Sequence, residues 1–206
     1  MKFAELMHTV ADLPMFRGSL LLAGERDHAD VRRQLSRWTS SGKLIRLRSD
    51  VYMLAKPWRQ VEPHPFLIAN ELHRPSYVSL QSALAHHGLI PEAVPVTTSV
   101  TLGRPVTLST PQGRFVYHHI QKDAFFGYTR TGVWNEQEAL VAVAPKALLD
   151  LVYLTPSGDS ADYLASLRLE RLADISEQDL RAGSRRWGKP KLDRAVERIL
   201  EMRARA

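Results

Sequence analysis

The stretch KPWRQVEPHP, residues 56 to 65, constrains the fold more than any other. Proline has no amide hydrogen and pushes the residue before it out of helical geometry, so neither a helix nor a central strand runs through this polar, proline-rich segment. A chain of 206 residues is long enough to bury a sizeable core, as one large domain or two small ones. The linker decides for two: residues 1 to 55, a linker at 56 to 64, and residues 65 to 206.

Charge divides the same way. Residues 1 to 60 carry 11 Lys and Arg against 6 Asp and Glu, residues 61 to 160 carry 6 against 8, and residues 161 to 206 carry 11 against 8. A basic head and a mildly acidic middle predict that a polyanionic partner meets the ends of the chain, while the middle does something else. There are no cysteines, which removes disulfides, thiolate metal sites and cysteine nucleophiles together, and suits a reducing cytoplasm. Glu5 and Asp12 interrupt the first apolar residues, so neither a signal peptide nor a membrane span is expected, and the predicted location is cytoplasmic.

In the first domain, Phe3, Leu6, Met7 and Val10 fall at helical spacing ahead of Pro14. Gly18 and Gly24 mark a short helical piece and a turn, and Asp27 or Asp30 is placed to cap a longer helix running to about Ser40. On that helix Val31, Leu35 and Trp38 form the apolar stripe. Arg33, Ser36, Arg37 and Ser40 then project from the opposite side, with Arg32 on its flank. GKLIRLRSDVYML, residues 42 to 54, reads as a hairpin in which Ile45 and Leu47 supply an apolar face and Arg46 and Arg48 a basic one.

Helix, short helix, helix and basic hairpin is the order of a winged helix-turn-helix. A helix fits the major groove, where base edges need polar partners, and the wing needs cations because phosphates dominate affinity. The expected DNA-binding residues are therefore Arg33, Ser36, Arg37 and Ser40 toward bases, with Arg32, Lys43, Arg46 and Arg48 toward phosphates. The predicted class is α+β: an N-terminal winged helix-turn-helix followed by a mixed α/β domain. That second domain has a helix at 65 to 73, two to four strands between 94 and 121, a strand ending near Val143, a helix from Pro145, and helices near 160 to 173 and 190 to 204.

Three blocks resemble a known family. LSRWTSSGKLIRLRSDVYML looks like the third helix and wing of AbiEi-type antitoxins. YVSLQSALAHHGLIPE looks like that family's Tyr-x-Ser-x-x-Ser-Ala-Leu segment, and APKALLDLVYL like its Pro-Lys-Ala-Leu-x-Asp helix. The wing turn carries Asp50 where the family usually has glycine, and the chain after residue 155 matches only loosely. The resemblance implies a type IV toxin-antitoxin antitoxin. Its N-terminal domain would bind inverted repeats in double-stranded DNA at its own promoter and repress it, and its C-terminal domain would counter a nucleotidyltransferase toxin.

The polar clusters read better as structure than as chemistry. Ser82 and His86 are four apart on a helix, but no glycine-flanked nucleophile motif accompanies them, and Ser79 reads as an N-cap with Gly88 as the helix stop. His86 and His87, like His118 and His119, are neighbours that diverge on a helix or a strand, so no metal is expected. Lys146 and Asp150, four apart on a helix, read as an intrahelical pair, and the resemblance implies a polar contact that fixes the helix against the sheet. Arg185, Arg186, Trp187, Lys189 and Lys191 form a basic cluster, read as an exposed loop or a phosphate-binding patch. No catalytic residue, cofactor or enzymatic activity is expected. The rival readings are a ligand-sensing winged-helix regulator and a DNA-recruited enzyme using the His and Ser clusters.

Overall fold

The computed structural model describes residues 1–22, 28–91 and 94–205. Helix α1 (Phe3–Val10) buries Leu6 and Val10 completely, and at its start the Lys2 amide donates to a carboxylate oxygen of Glu5 at 2.9 Å. A short strand β1 (Phe16–Arg17) and a 3-10 turn (Gly18–Leu22) follow. Helix α2 (His28–Ser40) buries Val31, Leu35 and Trp38, the stripe predicted from spacing. Asp30 lies within its first turn, and Asp27, the other expected cap, lies outside the described residues.

Strands β2 (Leu44–Arg48) and β3 (Val51–Leu54) form the expected hairpin, and β1 adds to it in the antiparallel order β1-β3-β2. Strand β1 is too short to show a period in the sequence. It makes β3 the central strand, and all four β3 residues are buried. The face assignment of β2 needs correcting. A bulge between Arg46 and Arg48 shifts the register, so the buried residues are Leu44 and Leu47 rather than Ile45 and Leu47. Leu6, Val10, Phe16, Leu35, Trp38 and Tyr52 are among the residues of one apolar core.

The chain divides into two compact units, Met1–His64 and, from Pro65 on, the remainder apart from Thr110–Gln112, which group with the first. The second unit is built on a six-stranded mixed sheet in the order β6-β7-β5-β4-β9-β8. Its strands are β4 (Ser76–Val78), β5 (Val96–Thr101), β6 (Val106–Thr110), β7 (Gly113–His119), β8 (Tyr128–Trp134) and β9 (Gln137–Ala142). Strand β4 runs parallel to β9 and antiparallel to β5.

Register puts Tyr77, Val100 and His118 in one row and Val78, Ser99 and Tyr117 in the next, so the two rows face opposite sides of the sheet. Helix α3 (Pro65–Leu72) covers the second side, where the Tyr117 hydroxyl donates to the Ala69 carbonyl at 2.7 Å. Helix α5 (Ala144–Leu154) meets the first side through Tyr77, packing against α4 (Leu80–His86), α7 (Glu177–Trp187) and α8 (Pro190–Arg205). A short α6 (Ala161–Ser166) starts at Ser160, whose hydroxyl accepts the Tyr163 amide.

Helix α7 corrects the reading of the basic cluster. Arg185, Arg186 and Trp187 close a helix that ends at Gly188 in the left-handed region (φ +62°), and they do not form an exposed loop. Trp187 is buried against Tyr153, with ring centroids 4.6 Å apart. The Lys191 ammonium donates to the Tyr153 carbonyl at 3.2 Å and to the Thr155 carbonyl, where α5 ends.

Candidate functional site

In the first unit, burying Val31, Leu35 and Trp38 leaves Arg32, Arg33, Ser36, Arg37 and Ser40 exposed on α2. They fall into two groups. Arg32, Ser36 and Ser40, spaced by four, line a groove of about 590 Å³ whose other wall is the hairpin with Arg46, Ser49, Asp50 and Tyr52. Arg33 and Arg37 lie outside that groove, and Arg33 pairs with Asp30 at 3.5 Å.

Arg46 stands opposite Tyr52, on the same side of the sheet as Leu44. Its guanidinium lies 5.9 Å from the Tyr52 ring centre and donates to the Ser49 carbonyl at 2.7 Å. It therefore faces α2 across the groove instead of pointing away from the core. Arg48 is half-buried and pairs in register with Val51. Lys43 departs most from expectation. Its ammonium sits 4.6 Å from the Phe3 ring centre and 6.0 Å from that of Trp58, a cation-π setting that ties the start of the hairpin to α1.

Asp50 has a structural role in the turn between β2 and β3. The Asp50 carbonyl accepts the Gly18 amide at 3.0 Å, and its carboxylate accepts the Ser19 amide at 3.4 Å, so the turn is docked on the start of the 3-10 segment. Nothing local in the sequence signals this contact between residues 31 apart. The groove consequently holds one acidic group among its arginines and hydroxyls.

In the second unit the side chains of Tyr77, Ser79, Lys146 and Asp150 bond to one another. The Lys146 ammonium donates to the Tyr77 hydroxyl at 2.9 Å and to the Asp150 carboxylate. The other oxygen of that carboxylate accepts the Ser79 hydroxyl at 2.7 Å and the Tyr77 hydroxyl at 3.1 Å. All four residues are buried, with Asp150 and Ser79 at 0% exposure. Burial pushes the Lys146 ammonium down against the pull of Asp150, and pushes the Asp150 carboxyl and the Tyr77 phenol up. The rings of Trp187 and Phe126 complete the enclosure, 4.3 and 4.9 Å from the ammonium. This is the helix-to-sheet contact expected of Lys146 and Asp150. Ser79 holds the N-cap position of α4, but its hydroxyl bonds to Asp150 and not to the helix amides, which corrects its reading as a cap.

The Ser82 hydroxyl donates to the Val96 carbonyl at 3.2 Å and accepts the Thr98 amide at 2.8 Å, stitching α4 to β5; it does not pair with His86. His86 packs edge-on against Phe66, with centroids 5.6 Å apart. A ring nitrogen of His87 lies 2.8 Å from the Ala142 carbonyl, and one of His119 lies 3.0 Å from the Gly103 carbonyl. Gly88 ends α4 in the left-handed region (φ +68°), and Glu92 lies outside the described residues. Among the described residues no three His, Asp or Glu side chains converge as metal ligands, and no helix is long and apolar enough to cross a membrane. The sequence matches no known protein-family model and no curated protein.

Proposed function

We propose that this protein is a DNA-binding transcriptional autorepressor and antitoxin, with a winged helix-turn-helix in its first unit and a toxin-opposing second unit. The observation that carries the DNA-binding half is the exposed face of α2, where five polar or cationic side chains stand beside a hairpin bearing Arg46 and Arg48. A three-stranded sheet in the order β1-β3-β2, with β1 between α1 and α2 and the β2–β3 hairpin after α2, supports the winged-helix reading. In that reading Arg33 and Arg37 reach base edges, while Arg32, Arg46 and the groove hydroxyls take the phosphate backbone.

The antitoxin half rests on the resemblance of three ordered blocks. It gains support from the meeting of Tyr77 and Ser79, from one block, with Lys146 and Asp150, from another, in a single hydrogen-bonded cluster. The motif residues then serve to fix the domain's fold, and the second unit acts by binding or opposition without turnover of its own.

The test has two arms. Gel-shift titration of the full chain on its own promoter region reads the first: salt-sensitive binding with preference over scrambled duplex supports repression, and equal binding to both refutes sequence-specific recognition. Co-expression of the full chain with the product of the neighbouring gene reads the second, and failure to rescue growth counts against antitoxin action.

A further inference from the structure

We infer that a cleft in the second unit is a binding site for an unpaired purine base of the guanine type, an inference independent of the DNA-binding reading. The cleft has a volume of about 470 Å³ and opens between α3, the start of β4 and the β8–β9 ribbon. That volume suits a small ligand of nucleoside size.

Its aromatic wall is Phe125 and Tyr128, both half-buried, with ring centres 5.2 Å apart and edge to face. Tyr128 is held in orientation by stacking on the buried Tyr77, at 4.5 Å between centres and 16° between planes. A fixed aromatic ring beside an apolar floor of Leu67 and Ala139 favours a flat, polarisable ligand. The back of the cleft is rigid: the Asn70 amide donates to the Leu140 carbonyl at 3.3 Å and accepts the Leu140 amide at 2.6 Å.

The rim sets the chemistry. Arg130 and Glu138 form a cross-strand pair at 3.2 Å, with side chains 73% and 52% exposed, so both still present groups to a ligand. Arg74 and Glu71 make a second such pair lining the same cleft. Each arginine is matched by a glutamate, so the cleft carries no net charge to attract a polyphosphate. What it offers is a donor fork beside an acceptor pair. The guanine edge answers both, with O6 and N7 accepting from a guanidinium and the N1 and N2 hydrogens donating to a carboxylate. Ser76, also in the cleft wall, adds a buried hydroxyl with no hydrogen-bond partner among the described residues. One rotation between staggered wells would offer it to a ligand atom.

The shared chemistry is the base, and it could come from a free nucleoside or from a single strand. Calorimetric titration of the full chain with guanosine, 5′-GMP, adenosine, and a short oligothymidylate carrying one central guanine separates the sources. Guanosine and 5′-GMP are expected to bind alike and with little salt dependence, unlike phosphate-driven binding on α2, and adenosine about tenfold more weakly. Stronger binding of the oligonucleotide than of guanosine, with the excess lost in Arg130→Ala, would assign the site to single strands; the reverse order of affinities would assign it to the free nucleoside. Arg130→Ala and Tyr128→Leu should each weaken guanosine binding about tenfold, while Tyr128→Phe, which keeps the ring, should bind like the parent. Ser76→Ala keeps the fold and should weaken binding. No heat with any probe at millimolar concentration overturns the inference, as does binding that Arg130→Ala and Ser76→Ala leave untouched.

Discussion

The Ser79 hydroxyl lies 2.7 Å from the Asp150 carboxylate, both side chains fully buried and 71 residues apart in the chain. The contact makes the first residues after β4 and the middle of α5 interdependent, because a buried carboxylate is tolerated only when its lone pairs are satisfied.

Removing one member of the cluster should therefore cost more than removing the pair. Lys146→Ala leaves Asp150 buried without its cation, and about 3–5 kcal/mol of stability should be lost. A Lys146→Met, Asp150→Leu double variant should recover only part of that loss, since it removes both desolvated charges but leaves the buried Ser79 and Tyr77 hydroxyls without their acceptor. Denaturant unfolding followed by tyrosine fluorescence checks both. A double variant as unstable as the single one would show that the stranded hydroxyls and the lost packing around Trp187 and Phe126 together cost as much as the unpaired charge.

Under the proposed DNA-binding role, affinity should respond differently to the two groups of residues on α2, with Arg46 of β2 behaving like Arg32. Arg33→Ala or Arg37→Ala is expected to cost roughly 1–3 kcal/mol on the operator and relax preference at one base pair. Arg32→Ala or Arg46→Ala should weaken all duplexes alike and reduce the slope of affinity against salt by about one. Lys43→Ala should change DNA binding least, because its ammonium is engaged with Phe3 and Trp58. Gel-shift titrations across a salt series distinguish these outcomes.

Gly18 is held by close approach. A Cβ built there would lie 2.6 Å from an Asp50 carboxylate oxygen and 3.1 Å from a Leu35 methyl. Gly18→Ala should destabilise the first unit by about 1–3 kcal/mol, the usual range for overpacking. It should also weaken DNA binding by displacing the hairpin tip from the 3-10 segment. Near-parental stability together with parental DNA affinity would show that the Asp50 side chain yields freely.

Mild acid should weaken the second unit. Burial pushes His118 below its ordinary value of 6.5, so the unfolded chain takes up a proton where the folded one does not. The sign follows from linkage: this contribution is fully present above pH 6.5 and is lost as pH falls through the lowered folded value. The denaturant midpoint should drop between neutral pH and mild acid, and His118→Gln should flatten that dependence. An unchanged slope in the variant would assign the effect to other groups.

The sequence by itself determined what depends on near neighbours. Val31, Leu35 and Trp38 recur at helical spacing, so the buried stripe of α2 and its exposed arginines follow from the 3.6-residue period alone. The proline-rich segment 56 to 65 marks where regular structure must stop. The tertiary structure decided everything carried by long-range contacts. Strand β1 exists because β3 offers it a pairing edge, and the bulge in β2 brings Leu47 to the buried side with Leu44. Helix α7 carries a cluster that reads as a loop, and Ser79 gives up its capping bond for Asp150. None of these has a local signature, because each is chosen by the free energy of burying and pairing groups that meet only once the chain has folded.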